Sequence, residues 1–448
     1  MALVGERVSL DLVDLASDGR GVGRLEGQVV FVAGGLPGDR VRARIVARSR
    51  RHLVAELLAV ETASIDRRRP PCILADHCGG CSLQPLEDTA QQAWKQKQVE
   101  ENLRRIAGLE PDVSPLLASA SGLGYRNRAV IPLERDPDGR LRAGYYRRGS
   151  HQIVNMNRCP VLDPRIDELI LPLKEDLEAA PWPVDRHGHG GGLRHLALRV
   201  GSRSGERLIT LVSSSADLEG LEPLAEAWMA RWPDLVGVAL NLQPLANNLL
   251  MGSETRVLAG RGWIREQFAG LELRIAADTF FQVHTEQAER VVPLLLAFLA
   301  GVPGRLVDAF CGIGTYSLPL AAAGWQVHGL EQHGGAVELA RFNAAANGLS
   351  ERTCFEVAEV GALLAERLPG VQALFVDPPR KGLEPAALAA VLADPPPRLA
   401  YLSCDPATLA RDLGQLTGEG GYRLVGVHPI DFFPNTSHVE TLACLERP

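Results

Sequence analysis

The sequence predicts an α/β protein. A parallel sheet covered on both faces occupies the C-terminal part, behind a small OB-like β-barrel and a central α+β region. Three observations carry this. Residues 1–60 alternate apolar and polar positions between glycine-rich breaks, the period-2 pattern of short barrel strands. From about residue 271, apolar strands alternate with helices, which marks a parallel sheet. The stretch between them mixes a long helix, short strands and irregular segments. The expected divisions are therefore 1–60, 61–270 and 271–448.

In the first division Val8, Leu10 and Leu12 read as one strand face. GVGRLEG, QVVFVAG and the run from Asp39 to Val60 follow. Residues 61–81 are irregular and hold Cys72, Cys78 and Cys81. Residues 87–107 form an amphipathic helix that Gly108 ends. The His-Gly run at 187–192, HGHGGG, reads as a flexible hairpin more readily than as a metal tract. In the last division RLVDAF (305–310), WQVHGLE (325–331), ALFVDPP (373–379) and RLAYLSCDP (398–406) are strands running into loops. Ligands of such sheets sit at the carboxyl ends of the strands. Every chemical motif below falls at one.

At 448 residues, 46% of them hydrophobic, the chain has material for several cores. The start, MALVGERVSLDLVDL, has no basic stretch followed by an apolar core, and no apolar run reaches membrane-spanning length. A cytoplasmic protein without membrane contact is expected. Net charge is −7, but unevenly spread: residues 1–160 carry 24 Lys+Arg against 19 Asp+Glu, and the rest carry 23 against 35. Basic residues crowd Arg40–Arg51, Arg67–Arg69, Arg126–Arg128 and Arg140–Arg148. A basic front half can follow phosphates; the bland alternative is a solvated, arginine-rich surface.

Asp308-Ala-Phe310-Cys-Gly312-Ile-Gly314-Thr315 joins a strand to a helix. Its glycines permit a tight turn close to a ligand. The third glycine of the dinucleotide fingerprint is missing, so a pyrophosphate is not implied. Glu331 ends the next strand, placed to accept both ribose hydroxyls of an adenosine group. Together they form the general S-adenosylmethionine pattern. Cys404, in Leu-Ser-Cys-Asp-Pro, lies just past a strand, where a thiolate can face the cleft; alone, such a Cys is as readily a small buried hydrophobe. Asp377-Pro-Pro-Arg-Lys-Gly382 is a proline-stiffened loop presenting a carboxylate. Glu440 enters an apolar strand, where a carboxylate is costly without a partner or a task.

The set DAFCGIGT (308–315), FFQVH (280–284), DPPRKGL (377–383), SCDPATLARD and FPNTSHVE (433–440) resembles the RNA 5-methyluridine methyltransferases in order and spacing. The resemblance implies a Rossmann-like S-adenosylmethionine methyltransferase domain. It implies Cys404 as the nucleophile on uracil C6 and Glu440 as the base that takes the C5 proton. Asp377 would hydrogen-bond the uracil edge or the cofactor, Gln282 would contact the cofactor, and Phe310, Gly312, Gly314, Thr315 and Glu331 would line its pocket. Two positions depart from the family: His284 stands where Asn is frequent, and Asp405 follows the Cys where Asn is common.

Cys72, Cys78, Cys81 and the distant Cys159 form a four-thiolate set able to hold zinc or an iron–sulfur cluster. The spacing resembles the [4Fe–4S] site of the ribosomal-RNA branch of this family, which favours the cluster over zinc and a structural role. The barrel then resembles a TRAM domain. Having both points to 23S rRNA as partner, with the protein a monomer. The alternatives are 5-methyluridine formation in tRNA and a non-catalytic RNA-binding assembly factor. A third class, protein methylation, is disfavoured because N-P-P-Y is expected there in place of Asp377-Pro-Pro-Arg.

Overall fold

The structure, a computed structural model, describes residues 3–184, 191–245, 247, 249–301 and 303–447. Positions 187–190 of the expected His-Gly hairpin lie outside the described residues. Strands Arg7–Leu15, Gly21–Leu25, Gln28–Ala33, Arg40–Arg48 and His52–Thr62 close into a barrel, the fifth strand pairing between the third and the fourth. Alternation builds its core. In Arg40–Arg48 the side chains of Val41, Ala43 and Ile45 point in, while Arg40, Arg42 and Arg44 point out.

Helix Asp88–Asn102 continues as a single π turn, Leu103–Ala107, and stops at Gly108, whose φ of 68° is left-handed. It precedes the central sheet in the chain but packs on the C-terminal one, where Val99 and Leu103 join a cluster with Val307, Leu399 and Leu413. The central sheet has six strands, ordered Glu254–Gly260, Leu235–Leu242, Arg207–Ser213, Leu193–Val200, Arg128–Arg135, Leu141–Ala143. One face carries Ile131, Leu196, Leu198 and Leu211 against helices Ile170–Ala179 and Leu221–Arg231. The other face sends Leu208 and Ala239 into the core of the C-terminal half, beside Ile264 and Phe281.

The C-terminal sheet has seven strands, ordered Thr353–Val357, Gln326–Glu331, Arg305–Ala309, Ala373–Val376, Arg398–Ser403, Glu440–Glu446, Arg423–Ile430. The first five are parallel. Chain order reverses between Arg305–Ala309 and Ala373–Val376, which opens a crevice at the carboxyl ends of these strands. The strand Glu440–Glu446 is inserted antiparallel to both neighbours. Its first residue therefore lies at the edge where the parallel strands end. Among the described residues no helix is long and apolar enough to cross a membrane.

The loop leading into Glu440–Glu446 is tied to earlier parts of the chain. Lys95, fully buried on the long helix, donates to Asp431 Oδ1 at 2.6 Å and to the Phe433 carbonyl at 2.9 Å. Asn435 sits at a left-handed φ of 66°. Its N–H donates to Gln91 Oε1, its amide nitrogen to the Gly122 carbonyl, and its amide oxygen accepts from Arg68. Removing one partner of a buried ion pair leaves the other uncompensated. Lys95→Met is expected to lower the unfolding free energy by about 3 kcal/mol, and adding Asp431→Leu to recover much of the loss. Denaturant titration of the two variants checks this; a single variant as stable as the wild type would remove the latch from the account.

Candidate functional site

The turn after strand Arg305–Ala309 bends tightly on left-handed backbone. Phe310, Gly312 and Gly314 take φ values of 72°, 55° and 87°. For Phe310 that conformation carries strain, which the packing around it must hold. The N–H groups of Phe310 and Cys311 both donate to the Leu330 carbonyl, so the turn is stitched to the end of the neighbouring strand. At that end Glu331 accepts from Gly312 N–H at 3.2 Å and from His333 N–H at 2.8 Å. Each oxygen keeps a lone pair for a further donor, as two vicinal hydroxyls require. Thr315 is buried at the far side of the turn. Asp308 is buried beneath it; the Ser317 hydroxyl donates to one oxygen, and the other has no partner. Burial pushes the Asp308 carboxyl up to about 7. A turn of this shape, an acid at the strand end and an unpartnered carboxyl oxygen fit a cationic nucleoside such as S-adenosylmethionine.

Cys404 stands one residue past Ser403, and Ser403 pairs with Thr441. That register brings the Cys404 thiol alongside Glu440, and Glu440 in turn pushes the thiol up. Burial is the larger cause, and together they take the thiol to about 12. Pro406 opens helix Pro406–Gly418, and Asp405 caps it, accepting from the N–H groups of Ala407 and Thr408. Asp and Asn cap equally well, so the departure at 405 preserves the local geometry.

Glu440 is buried and Asp377 half-buried; desolvation raises both carboxyls, with Asp377 adding to the rise at Glu440 and Asp308 to the rise at Asp377. The pair favours a protonated form in the ligand-free protein. Gln282 donates to Asp377 Oδ2 at 3.3 Å, so FFQVH and DPPRKGL meet. Asn127 holds the first of these, donating to the Gln282 carbonyl and to Thr285 Oγ1. His284 stacks on Tyr125 at 4.9 Å and shares a hydrogen bond with the Ser119 hydroxyl at 2.8 Å. Burial takes it down to about 4, so it is neutral. The departure at 284 is thus absorbed into packing against the segment 119–125.

Three contributors escaped sequence reasoning. Arg380, from the proline loop, donates to His438 Nε2 at 3.1 Å and opposes the carboxylates' effect on both Cys404 and Glu440. Asp412, fully buried, accepts from Leu383 N–H and from the Tyr401 hydroxyl, pinning the end of the same loop. Asn127 is the third. Their signal was weak: each is one polar residue inside a quoted or charged stretch, distant in sequence from what it holds.

The four cysteines of the front half also converge. Cys72, Cys78 and Cys81 act electrostatically on one another and on Cys159. The Cys72 sulfur accepts from Leu74 N–H and the Cys78 sulfur from Gly80 N–H, both at 3.4 Å. Among the described residues no group of three or more Cys, His, Asp or Glu side chains is placed to hold a metal.

With this geometry in hand, comparison with known proteins is direct. Residues 88–448 match the family described as tRNA (Uracil-5-)-methyltransferase, and residues 2–58 match the TRAM domain. A protein of Parasynechococcus marenigrum named an uncharacterized RNA methyltransferase is 51% identical over 99% of this chain and 96% of its own length. A Halalkalibacterium halodurans protein of the same description is 35% identical over 98% and 96%. Among solved structures, the tRNA (uracil-54, C5)-methyltransferase of Pyrococcus abyssi, in complex with S-adenosyl-L-homocysteine, superposes with a TM-score of 0.78 at 28% identity, covering 98% of this chain and 100% of that one. The chain therefore belongs to the RNA (uracil-5-)-methyltransferase family and carries a TRAM domain ahead of its catalytic part.

Proposed function

We propose that this enzyme methylates C5 of a uridine through a transient bond between Cys404 and uracil C6. The observation that carries the reading is the Ser403–Thr441 register, which brings the thiol and Glu440 to one edge of the sheet, beside Asp377 and the Asp308–Thr315 turn. Uracil C5 is too weak a nucleophile to take a methyl group unaided. Cys404 loses its proton to solvent as the RNA seats, and its sulfur bonds to C6. The C5–C6 π pair moves into an enolate spread over C5, C4 and O4. When bound, S-adenosylmethionine supplies an electrophilic methyl group on a sulfonium. C5 takes that methyl, Glu440 removes the C5 proton, and the C5–C6 double bond re-forms as the sulfur leaves C6. Glu440 passes that proton to the departing Cys404 sulfur, which restores both groups. Gln282 and Asp377 hold the cofactor or the uracil edge; Phe310, Gly312, Gly314, Thr315 and Glu331 line the adenosine side. The uridine must leave its stack to reach this cleft.

Cys404→Ala is expected to lower turnover by at least about a thousandfold with S-adenosyl-L-homocysteine affinity unchanged. Glu440→Gln is expected to stall after methyl transfer, leaving a protein–RNA adduct that survives a denaturing gel. Undiminished turnover in the first, or clean product release in the second, reassigns the chemistry.

For the RNA, the TRAM domain and the cysteine set favour 23S rRNA. One observation favours tRNA as a second reading: the Pyrococcus protein is named for tRNA, and the match spans nearly all of this chain, barrel included. Incubation of total RNA with labelled cofactor, followed by separation of rRNA from tRNA and mapping of the product, is expected to place the label in 23S rRNA. Label confined to tRNA overturns that choice.

We also infer that Cys72, Cys78, Cys81 and Cys159 hold a [4Fe–4S] cluster. The reading rests on the spacing of Cys72, Cys78, Cys81 and Cys159, which resembles the [4Fe–4S] site of the ribosomal-RNA branch, and on the electrostatic influence these thiols have on one another. The donor set fits, and two backbone N–H groups already point at the sulfurs. Anaerobically purified protein is expected to be brown with broad visible absorbance; a colourless protein with one equivalent of zinc refutes this.

A further inference from the structure

Two arginines stand opposite each other where the central sheet meets the catalytic half. Arg128 and Arg199 are direct cross-strand partners in the antiparallel pairing of Arg128–Arg135 with Leu193–Val200. Partners in such a register have their Cβ atoms about 5 Å apart, and like charges there repel. The alternate positions Ala129, Ile131, Leu196 and Leu198 fill the core on the other face. Both guanidiniums therefore project on the face that meets the catalytic half. Neither can shed its charge by losing a proton.

The hydrogen bonding of Arg199 is incomplete among the described residues. Arg199 is 4% exposed; its Nη2 donates to the Thr279 carbonyl at 2.6 Å, while its Nη1 is buried without a partner. Arg128 keeps part of its surface open and reaches a thioether, Met251 Sδ, at 3.7 Å. Arg126 adds a third cation acting on Arg128. Against these, Asp278 is the carboxylate that acts on the pair among the described residues, and it already accepts from Thr255 Oγ1 at 2.9 Å. Burial pushes both guanidiniums below their usual range, with Arg126 adding to the fall at Arg128 and Arg128 to the fall at Arg199. Buried cations without counter-charge are costly. Such an arrangement persists where an anion completes it. The neighbouring chain is Thr279–Phe280–Phe281–Gln282: Phe280 is 61% exposed, and Gln282 touches Asp377 in the cleft.

We propose that Arg128, backed by the buried Arg199, forms an anion site for one backbone phosphate of the RNA strand, beside the uridine that enters the cleft. The inference rests on the uridine-methylating reading above. Phosphate contacts set register and carry no base information, so this site would seat the strand while Phe280, one residue beyond the Arg199 contact, offers a ring for an adjacent unstacked base.

The test uses the full-length protein and a synthetic RNA hairpin with a uridine-containing loop. Arg128→Gln is expected to weaken RNA binding about tenfold and to reduce the slope of log affinity against log salt by about one. Arg128→Lys is expected to restore the slope and part of the affinity. The affinity for S-adenosyl-L-homocysteine should not change. The free Arg128→Gln protein should melt no lower than the wild type, because the substitution relieves a like-charge pair; a merely structural arginine would give a lower melting point. An unchanged salt slope overturns the proposal. So does weakened S-adenosyl-L-homocysteine binding with RNA affinity intact, which would assign the anion to the cofactor's carboxylate. If the wild type binds RNA but methylates no uridine in total RNA, the reading beneath the proposal fails instead; the salt slope is read independently of turnover.

Discussion

Carboxylates buried without a full complement of cations are the constraint around which this site is built. Asp308, Asp377 and Glu440 all lie within the crevice region, and desolvation is the first cause of the rise in each carboxyl. Water would stabilise these groups if it could reach them; the sheet and the loops above it keep it away. The surrounding protein must therefore fix them by other means. Ser317 holds Asp308, Gln282 holds one oxygen of Asp377, and Arg380 faces Glu440 from the proline loop. A cationic ligand entering this space would supply the charge that these acids lack.

Rigidity around these acids comes from outside the catalytic sheet. The loop 431–438 is held by Lys95, Gln91 and Arg68 and by the carbonyl of Gly122. FFQVH is held by Asn127, and His284 is packed on Tyr125. The front half is thus a scaffold for the cleft. Leu83 donates its N–H to the Asn435 carbonyl, and Gln84 accepts from Cys72 N–H. The cysteine segment is therefore connected through two adjacent residues to the loop that delivers Glu440. A change in the packing of one has a covalently short route to the other.

Much of this was legible in the sequence. Period-2 alternation in residues 1–60 becomes a closed barrel with its arginines outside, and the apolar runs ending at Asp308, Glu331, Asp377 and Cys404 become neighbouring or near-neighbouring strands. Gly108 ends its helix as its φ requires. The departures from the family at 284 and 405 have local explanations, one as a stacked neutral ring and the other as a helix cap. Less legible were residues that act at long range: Asp412 on the proline loop, Lys95 on Asp431, Asn127 on the Gln282 carbonyl. Each is an ordinary polar residue until its partner is known.

The sequence alone determined the order and type of elements and the chemistry available at each strand end, because hydrophobic periodicity, turn residues and helix caps act within a few residues of themselves. Only the tertiary structure decided which of those ends meet. Glu440 reaches Cys404 because its strand runs antiparallel between two others, which inverts which end of it faces the crevice. Arg128 opposes Arg199 because two strands far apart in the chain pair in one register of several open to them. Register and burial are set by the whole core at once, and no local window contains them.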